Sequence, residues 1–420
     1  EISCSLVGSE MCIRDSQDVG TDRYISTLST SVDSWIIDGK KVQSTQKPTI
    51  VSSTLTWEKV TTLDLGLDAR FFNDALGVTF DWYNRTTSDI LTTANLPATL
   101  GADAPYENMG TIQTKGWELA IDYRHTFKNG LHFGVTASVA DDKTEVTKWT
   151  YNTKIPSYGA TGWWDKSAYK EGMVLGDIWG LQFDRFLTED DFNADGSLKA
   201  GLPDQTKVFP AGYQFAPGDV LYKDLDNNGE IVKQTNTNDK GDLSVIGNAL
   251  PRLQFGLNLD AAWKGFDISM FFQGVAKRKL WAAGNQVLPG FTTGEPFYKG
   301  AEDYWTPENT DAFYPRPMDY KQSASGNYSV NDRYLLNMAY LRLKTFTVGY
   351  SLPKVWLSKF KVQGLRVYFT GENLFTIDGV KPAIDPEIGI RTASGKSDQR
   401  NFGRSYPYQK TVSFGIQLSL

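Results

Sequence analysis

From Lys410 to its end the chain reads KTVSFGIQLSL. Val412, Phe414, Ile416, Leu418 and Leu420 are apolar, and Thr411, Ser413, Gly415, Gln417 and Ser419 between them are small or polar. An extended strand sends successive side chains to opposite faces, so this stretch predicts a strand with one greasy and one polar face. The pattern recurs. Leu63, Leu65, Leu67, Ala69 and Phe71 alternate with Asp64, Gly66, Asp68 and Arg70. After a short turn at Asn73 and Asp74 come Leu76, Val78, Phe80 and Trp82, opposed by Thr79, Asp81 and Arg85. Trp117, Leu119, Ile121 and Tyr123 oppose Glu118, Asp122 and Arg124, and the Asn129-Gly130 hairpin signal leads to Leu131, Phe133, Val135, Ala137 and Val139. Leu253, Phe255, Leu257, Leu259, Ala261 and Trp263 run into a Lys264-Gly265 turn and FDISMFFQG, and LRVYFTGENLF aligns Leu365, Val367 and Phe369. The segment YLRLKTFTVGYSLP is less regular, as a β-bulge would make it.

Connection lengths add a second constraint. Short turns are predicted at Asn73, Asn129 and Lys264. Long polar stretches rich in Gly, Pro and Trp separate the other strands, roughly 86–114, 142–176, 187–250, 277–338 and 376–407. Compact soluble domains rarely hold several loops of this size. Transmembrane β-barrels do, with tight turns on one rim and long loops on the other. Strands of about ten to fifteen residues exceed the usual sandwich strand and suit a tilted membrane span. Trp57, Trp82, Tyr83, Trp117 and Trp263 fall near the predicted strand ends, where an aromatic girdle is expected. The reading is all-β, an antiparallel transmembrane β-barrel. A secreted β-sandwich or propeller that binds glycans is the alternative, and a β-rich glycoside hydrolase is a third.

Composition agrees with strands and turns: 12 Trp, 20 Tyr, 23 Phe and 38 Gly, with only two His. A net charge of −6 and one short basic run, KRK at 277–279, argue against nucleic acid. The run reads as a solvated loop end. No apolar stretch is long enough for a transmembrane helix. The chain opens on Glu1 with no initiator Met and no signal-type apolar segment, so it reads as a piece of something longer. Residues 1–16, EISCSLVGSEMCIRDS, differ in texture from the rest, contain both cysteines, and resemble translated adapter sequence. They are set apart as a non-native leader, with an ordinary disordered terminus as the other reading, and residues 17–420 are taken as the C-terminal portion of the barrel. Without the leader there is no cysteine, which excludes a disulfide framework.

Several stretches resemble the SusC/RagA-type TonB-dependent outer-membrane transporters of Bacteroidetes: LTWEKVTTLDLGLDARFFNDALGVTFDWYNRTTSDIL, NMGTIQTKGWELAIDYR, YWTPENTDAFYPRP and YLRLKTFTVGYSLPKVWLSKFKVQGLRVYFTGENLFTI. The likeness covers nearly all of residues 50–420. It implies the C-terminal portion of a barrel of about 22 strands with a plugged lumen, in the cell outer membrane, surrounded by outer-membrane lipid. It further implies a SusD-like lipoprotein as lid, a TonB complex acting through an N-terminal part, and an oligosaccharide or peptide as nutrient. The plug and TonB-binding segment that the family places before the barrel are not in this sequence, and Leu420 stands where a terminal aromatic is common. Alone, such a piece has two unpaired edges and is expected to aggregate.

Candidate chemistry is sparse. DLDNNGEIVKQTNTNDKGD spaces Asp224, Asp226 and Asn228 as positions 1, 3 and 5 of a calcium loop, with Gly229 at the sharp turn and the Glu230 carbonyl at position 7. Position 12 is Thr235, which cannot serve. Asp242 supplies the late acid if residues 232–241 are an insertion. A structural calcium is one reading, and a solvated Asn-Gly turn is the other. His125 and His132 flank one turn and lack the third ligand that zinc needs. No nucleophile–base arrangement or phosphate loop occurs, so no enzyme is expected. The loop aromatics Trp163, Trp164, Tyr304, Trp305 and Tyr314 either stack on sugar rings or pack the loops together. Arg70, Arg85 and Arg124 suit a hydrated lumen.

Overall fold

A computed structural model describes residues 3–15, 25–28, 30–45, 50–93, 104–150, 170–233, 240–282, 284–291, 296–318, 326–357, 362–381, 384–387, 392–393, 396–397 and 407–419. An antiparallel sheet of eleven strands dominates it. In chain order these are β1 (Ser3–Asp15), β2 (Glu58–Phe71), β3 (Leu76–Thr93), β4 (Tyr106–Thr126), β5 (His132–Trp149), β6 (Arg252–Trp263), β7 (Phe266–Lys277), β8 (Tyr340–Ser351), β9 (Gly364–Glu372), β10 (Thr376–Asp378) and β11 (Thr411–Ser419). They form a meander, each pairing with its neighbour in the chain; β10 continues the line of β9 and pairs with the first part of β8. Among the described residues β1 and β11 lie at the two edges and the sheet is open.

The turns on one rim are short for local reasons. Phe72, Asn73 and Asp74 all take left-handed backbone, with φ of 58, 54 and 62°, and Ala75 N closes the turn on Phe72 O at 3.2 Å. At the next, Gly130 takes φ 82°, and Phe127 N donates to Leu131 O at 2.8 Å, giving a three-residue loop with glycine in the left-handed position. Lys264 and Gly265, at φ 48 and 89°, make the two-residue turn whose twist matches the strands. The fourth connection on this rim carries one helical turn, Lys354–Leu357. All the other connections lie on the opposite rim.

Register arranges the apolar residues in rows across the sheet. Leu67, Phe80, Leu119, Val139 and Phe255 share one row; Ala69, Val78, Ile121, Ala137, Leu257 and Phe272 share the next. This face has no second sheet over it among the described residues. Leu63 is 42% exposed, Phe133 37% and Phe414 81%, and Leu257 is only half-buried. The dry cores lie elsewhere, in the long loops. One gathers Ile178, Leu288, Met338 and Tyr334; another gathers Leu181, Tyr222, Ile231 and Trp305. A sandwich buries its apolar stripes between sheets. Here the stripes face outward and the long loops gather dry cores of their own.

Several sequence expectations need correction. The strands are longer than read: β3 and β4 extend to Thr93 and back to Tyr106, and β4 has 21 residues. Alternation fades in TTSDILTT because that part rises beyond the apolar belt and needs no greasy stripe. The expected bulge in β8 is present, with a register shift that skips Lys344 opposite Phe271 and Phe272. Of the proposed girdle, Trp57 precedes β2 at one rim and Trp263 ends β6 at the other. Trp82 and Trp117 pair in mid-strand rather than at a strand end, because β3 and β4 run on above the apolar belt whose upper margin the two rings mark. Tyr83 points to the opposite, polar face, where its ring lies over Gly116; a Cβ there would come within 2.4 Å of the Tyr83 ring. The KRK run is a junction rather than a solvated end: Arg278 Nε donates to Ala249 O at 3.2 Å and Lys279 pairs with Asn337. The backbone of the leader occupies the edge beside β2. An open edge offers the same row of amides and carbonyls to any chain laid on it, so this pairing has no bearing on the leader's origin.

Candidate functional site

The polar face of the sheet is a wall of paired charges and hydroxyls. Arg70 Nη1 donates to Asp122 Oδ2 at 2.8 Å, Thr79 Oγ1 to Asp68 Oδ1 at 2.7 Å, and Arg366 Nε to Asp267 Oδ1 at 3.0 Å. Thr347 and Thr370 hydroxyls meet at 3.2 Å. A hollow of about 550 Å³ lies against this wall, lined in part by Asp81, Glu118, Ser138, Gln254, Phe271 and Gln273. In a barrel this face surrounds a hydrated lumen. His132 joins the wall, its Nε2 3.5 Å from Asp260 Oδ2. His125 instead packs edge-on against Phe127, so the two histidines do not converge.

Higher on the wall, one cluster is almost free of solvent. Arg342 of β8, 3% exposed, donates Nη2 to Asp385 Oδ1 at 2.7 Å and Nε to Thr376 Oγ1 at 2.8 Å, and contacts Glu387 through Nη1. Lys344 Nζ donates to Glu387 Oε2 at 2.8 Å and Tyr340 Oη to Glu387 Oε1 at 2.8 Å. The Tyr408 ring lies 5.3 Å from the Arg342 guanidinium carbon and 4.9 Å from Lys344 Nζ. The last long loop is thereby held against the inner wall. Sequence reasoning passed over these residues. Two signals were available: Arg342 and Lys344 alternate as cations in a strand, and an Asp-Pro-Glu turn follows in the loop.

In the loop body a cleft of about 640 Å³ is lined by Phe297, Tyr298, Tyr304, Tyr314, Pro315 and Tyr328 among others. Tyr304 is 40% exposed at its edge. Tyr314 is buried, its Oη donating to Val287 O at 3.0 Å, and burial pushes its phenol up to about 12. Trp305 is buried in the second loop core and packed on Gly218, where a Cβ would meet its ring at 2.5 Å. The packing role therefore holds for Trp305, while Tyr304 reaches the cleft. Trp163 and Trp164 lie outside the described residues.

The acidic loop brings three of its five candidates together. One carboxylate oxygen each of Asp224, Asp226 and Asp242 lies within 4.8 Å of the others. Asn227 at φ 57° and Gly229 at φ 85° bend the chain back, and Gly229 N donates to Asp224 Oδ2 at 2.8 Å. Asp242 is fully buried, accepting from Leu225 N at 2.7 Å and Val232 N at 2.8 Å. Burial, and then the charges of Asp226 and Asp224, push its carboxyl above the usual range. Asn228 turns its amide to Asp226 at 3.0 Å and its Oδ1 accepts from Glu230 N at 2.8 Å. The Glu230 side chain pairs with Lys207, away from the cluster; Thr235 lies outside the described residues. Three hard oxygen donors around one point, one of them buried, fit a calcium ion chemically.

The chain matches the family described as TonB dependent receptor-like, beta-barrel, over residues 21–374. It is 27% identical over 395 residues to TonB-dependent receptor P3 of Formosa agariphila, covering 91% of this chain and 36% of that protein. It is 24% identical over 391 residues to TonB-dependent receptor SusC of Bacteroides thetaiotaomicron, covering 91% and 34% respectively. Among solved structures, the RagAB peptide transporter superposes with a TM-score of 0.68 at 20% identity, over 99% of this chain and 40% of that one. The chain therefore spans 34–36% of the length of these two curated relatives. The outward apolar rows, the paired polar wall and this match agree: the chain, similar to SusC and to RagAB, belongs to the TonB-dependent receptor β-barrel family of the outer membrane.

Proposed function

We propose that the whole protein takes up a nutrient, an oligosaccharide or a peptide, across the outer membrane in a TonB-dependent manner, with a SusD-like surface lipoprotein as lid. No bond is made or broken; the lumen and outer loops hold the cargo until a plug moves. The observation that carries this reading is the match over residues 21–374, supported by the charged, hydroxyl-rich wall on the inner face. The test uses the complete gene. A strain lacking it should lose uptake of labelled oligosaccharide or peptide, and the restored gene should return it only where TonB is present. Uptake undiminished in the deletion strain would overturn the proposal.

We infer further that Asp224, Asp226 and Asp242, with the Asn228 amide oxygen and the Glu230 carbonyl, hold a structural calcium. The mutual approach of the three carboxylates supports it. The ion would cross-link the bend at Gly229 to the segment carrying Asp242, and has no part in any reaction.

A further inference from the structure

Lys115 of β4 and Lys143 of β5 stand directly opposite one another in register, and both are exposed. Like charges at opposed positions destabilise a sheet. Their face is the outward one, since Lys115 alternates in step with Trp117, Leu119 and Ile121. Leu63, Asn84, Lys115 and Lys143 make one row across β2 to β5; the row below holds Leu65, Trp82, Trp117 and Asp141. Beneath it comes the fully apolar row through Phe80 and Leu119. The lysines thus sit at the step where the lipid-facing surface turns polar, on the side of the long loops. Long loops lie outside the cell in such barrels, so this is the head-group level of the outer leaflet.

Local acids compensate the pair only in part: the Asp177 carboxyl, held by Asn248 Nδ2 at 3.0 Å and Val174 N at 3.2 Å, feels the Lys143 charge as the smallest of its influences. Asp141 is taken by Arg252, whose Nε and Nη2 lie 2.5 and 2.7 Å from its oxygens. Glu145 lies 3.4 Å from Lys143 Nζ, with the two side chains 44% and 49% exposed, a weak contact. No ion pair to Lys115 occurs among the described residues. We propose that Lys115 and Lys143 bind the phosphate of a phosphorylated outer-leaflet glycolipid, whose acyl chains lie along Trp82 and Trp117. An ammonium binds phosphate as a point charge, indole suits the boundary between hydrocarbon and head groups, and the site continues the lipid-facing belt. The proposal rests on the barrel's place in the membrane and is independent of what is transported.

The complete protein in detergent is titrated with phosphorylated lipid A, dephosphorylated lipid A and inorganic phosphate, and bound lipid is counted by native mass spectrometry. Phosphorylated lipid A should bind, and the other two should not bind at comparable concentration. The Lys115→Gln/Lys143→Gln double variant should bind it roughly 30-fold more weakly, while Lys115→Arg/Lys143→Arg retains it. Without lipid the Gln variant should melt no lower than the parent, because the repulsion is gone. Equal affinity of the Gln variant, or of the dephosphorylated lipid, would overturn the proposal. Binding of inorganic phosphate as tight as that of the lipid would overturn it in favour of a free-anion site.

Discussion

Arg342 and Asp385, 43 residues apart, meet through a 2.7 Å hydrogen bond with side chains only 4% and 5% exposed. A charge removed from such a cluster leaves its partner buried and unpaired, which costs about 3–5 kcal/mol. Arg342→Met in the complete protein should therefore release the last long loop. The amides of Ile384, Asp385 and Glu387 should exchange orders of magnitude faster, while those in β4 and β5 keep their protection. Unchanged exchange at 384–387 would mean the loop is held by other contacts.

The same cluster predicts a dependence on pH. Burial alone would raise the Asp385 carboxyl, but the bonds from Arg342, Glu387 N and Tyr408 N outweigh it and hold it below the usual carboxylate range. A lowered native pKa adds stability that is complete above the unfolded value near 3.9 and is lost as pH falls through the native value. Asp191 behaves alike: its two bonds from Arg185 hold it at about 2. Loop protection measured by exchange should be flat from pH 7 to about 5 and fall between about 4 and 2. A loss already complete at pH 6 would contradict both assignments.

The outward rows make a prediction with a built-in control. Leu257 and Asn258 are adjacent on β6, the first in the apolar row with Val78, Ile121 and Ala137 and the second on the inner wall. Leu257→Lys should lower unfolding free energy in vesicles by about 2–4 kcal/mol, as expected for a cation near the bilayer midplane. Asn258→Lys should cost well under half of that. Equal losses at the two positions would show that the face carrying Leu257 is not wetted by lipid.

These contrasts show why the barrel could be read from sequence and much of the upper structure could not. Alternation such as Leu63 to Phe71 is written into the chain because lipid on one side and water on the other demand it at every second residue. Above the belt both faces meet water or loop, the demand lapses, and the extensions to Thr93 and from Tyr106 carry no such signature. Asp224 and Asp226 share one turn because turn chemistry is local, and their spacing is legible in the sequence. Asp242 comes beside them only through the fold, and spacing alone could bring it in only by supposing an insertion. The Arg342 cluster joins segments more than 40 residues apart, and register in a strand says nothing about which distant loop comes to rest on it.

For the acidic loop, calcium should raise the melting temperature of the loop body in the complete protein, and a chelator should lower it again. At a hundredfold excess over its dissociation constant a bound ion adds about 2.7 kcal/mol. Asp242→Asn should abolish the calcium-dependent shift. Because the Asp242 carboxyl lies above its usual range, calcium must displace its proton at low pH, so affinity should weaken as pH falls toward that raised value. A melting curve indifferent to calcium at pH 7 would leave the bend as an ordinary Asx turn.

Tyr304 and Trp305 are consecutive yet face different surroundings, and their truncation should separate cargo contact from packing. Trp305→Ala empties a site in the second loop core and should destabilise the loop body by about 3–5 kcal/mol. Tyr304→Ala removes a half-exposed ring from the cleft edge and should leave the melting temperature within a degree or two of the parent. If the cleft takes cargo, the Tyr304 variant should show several-fold weaker uptake at limiting substrate with unaltered surface abundance. If uptake follows only the stability of the two variants, the cleft is a seam between packed loops and the cargo is held by the inner wall.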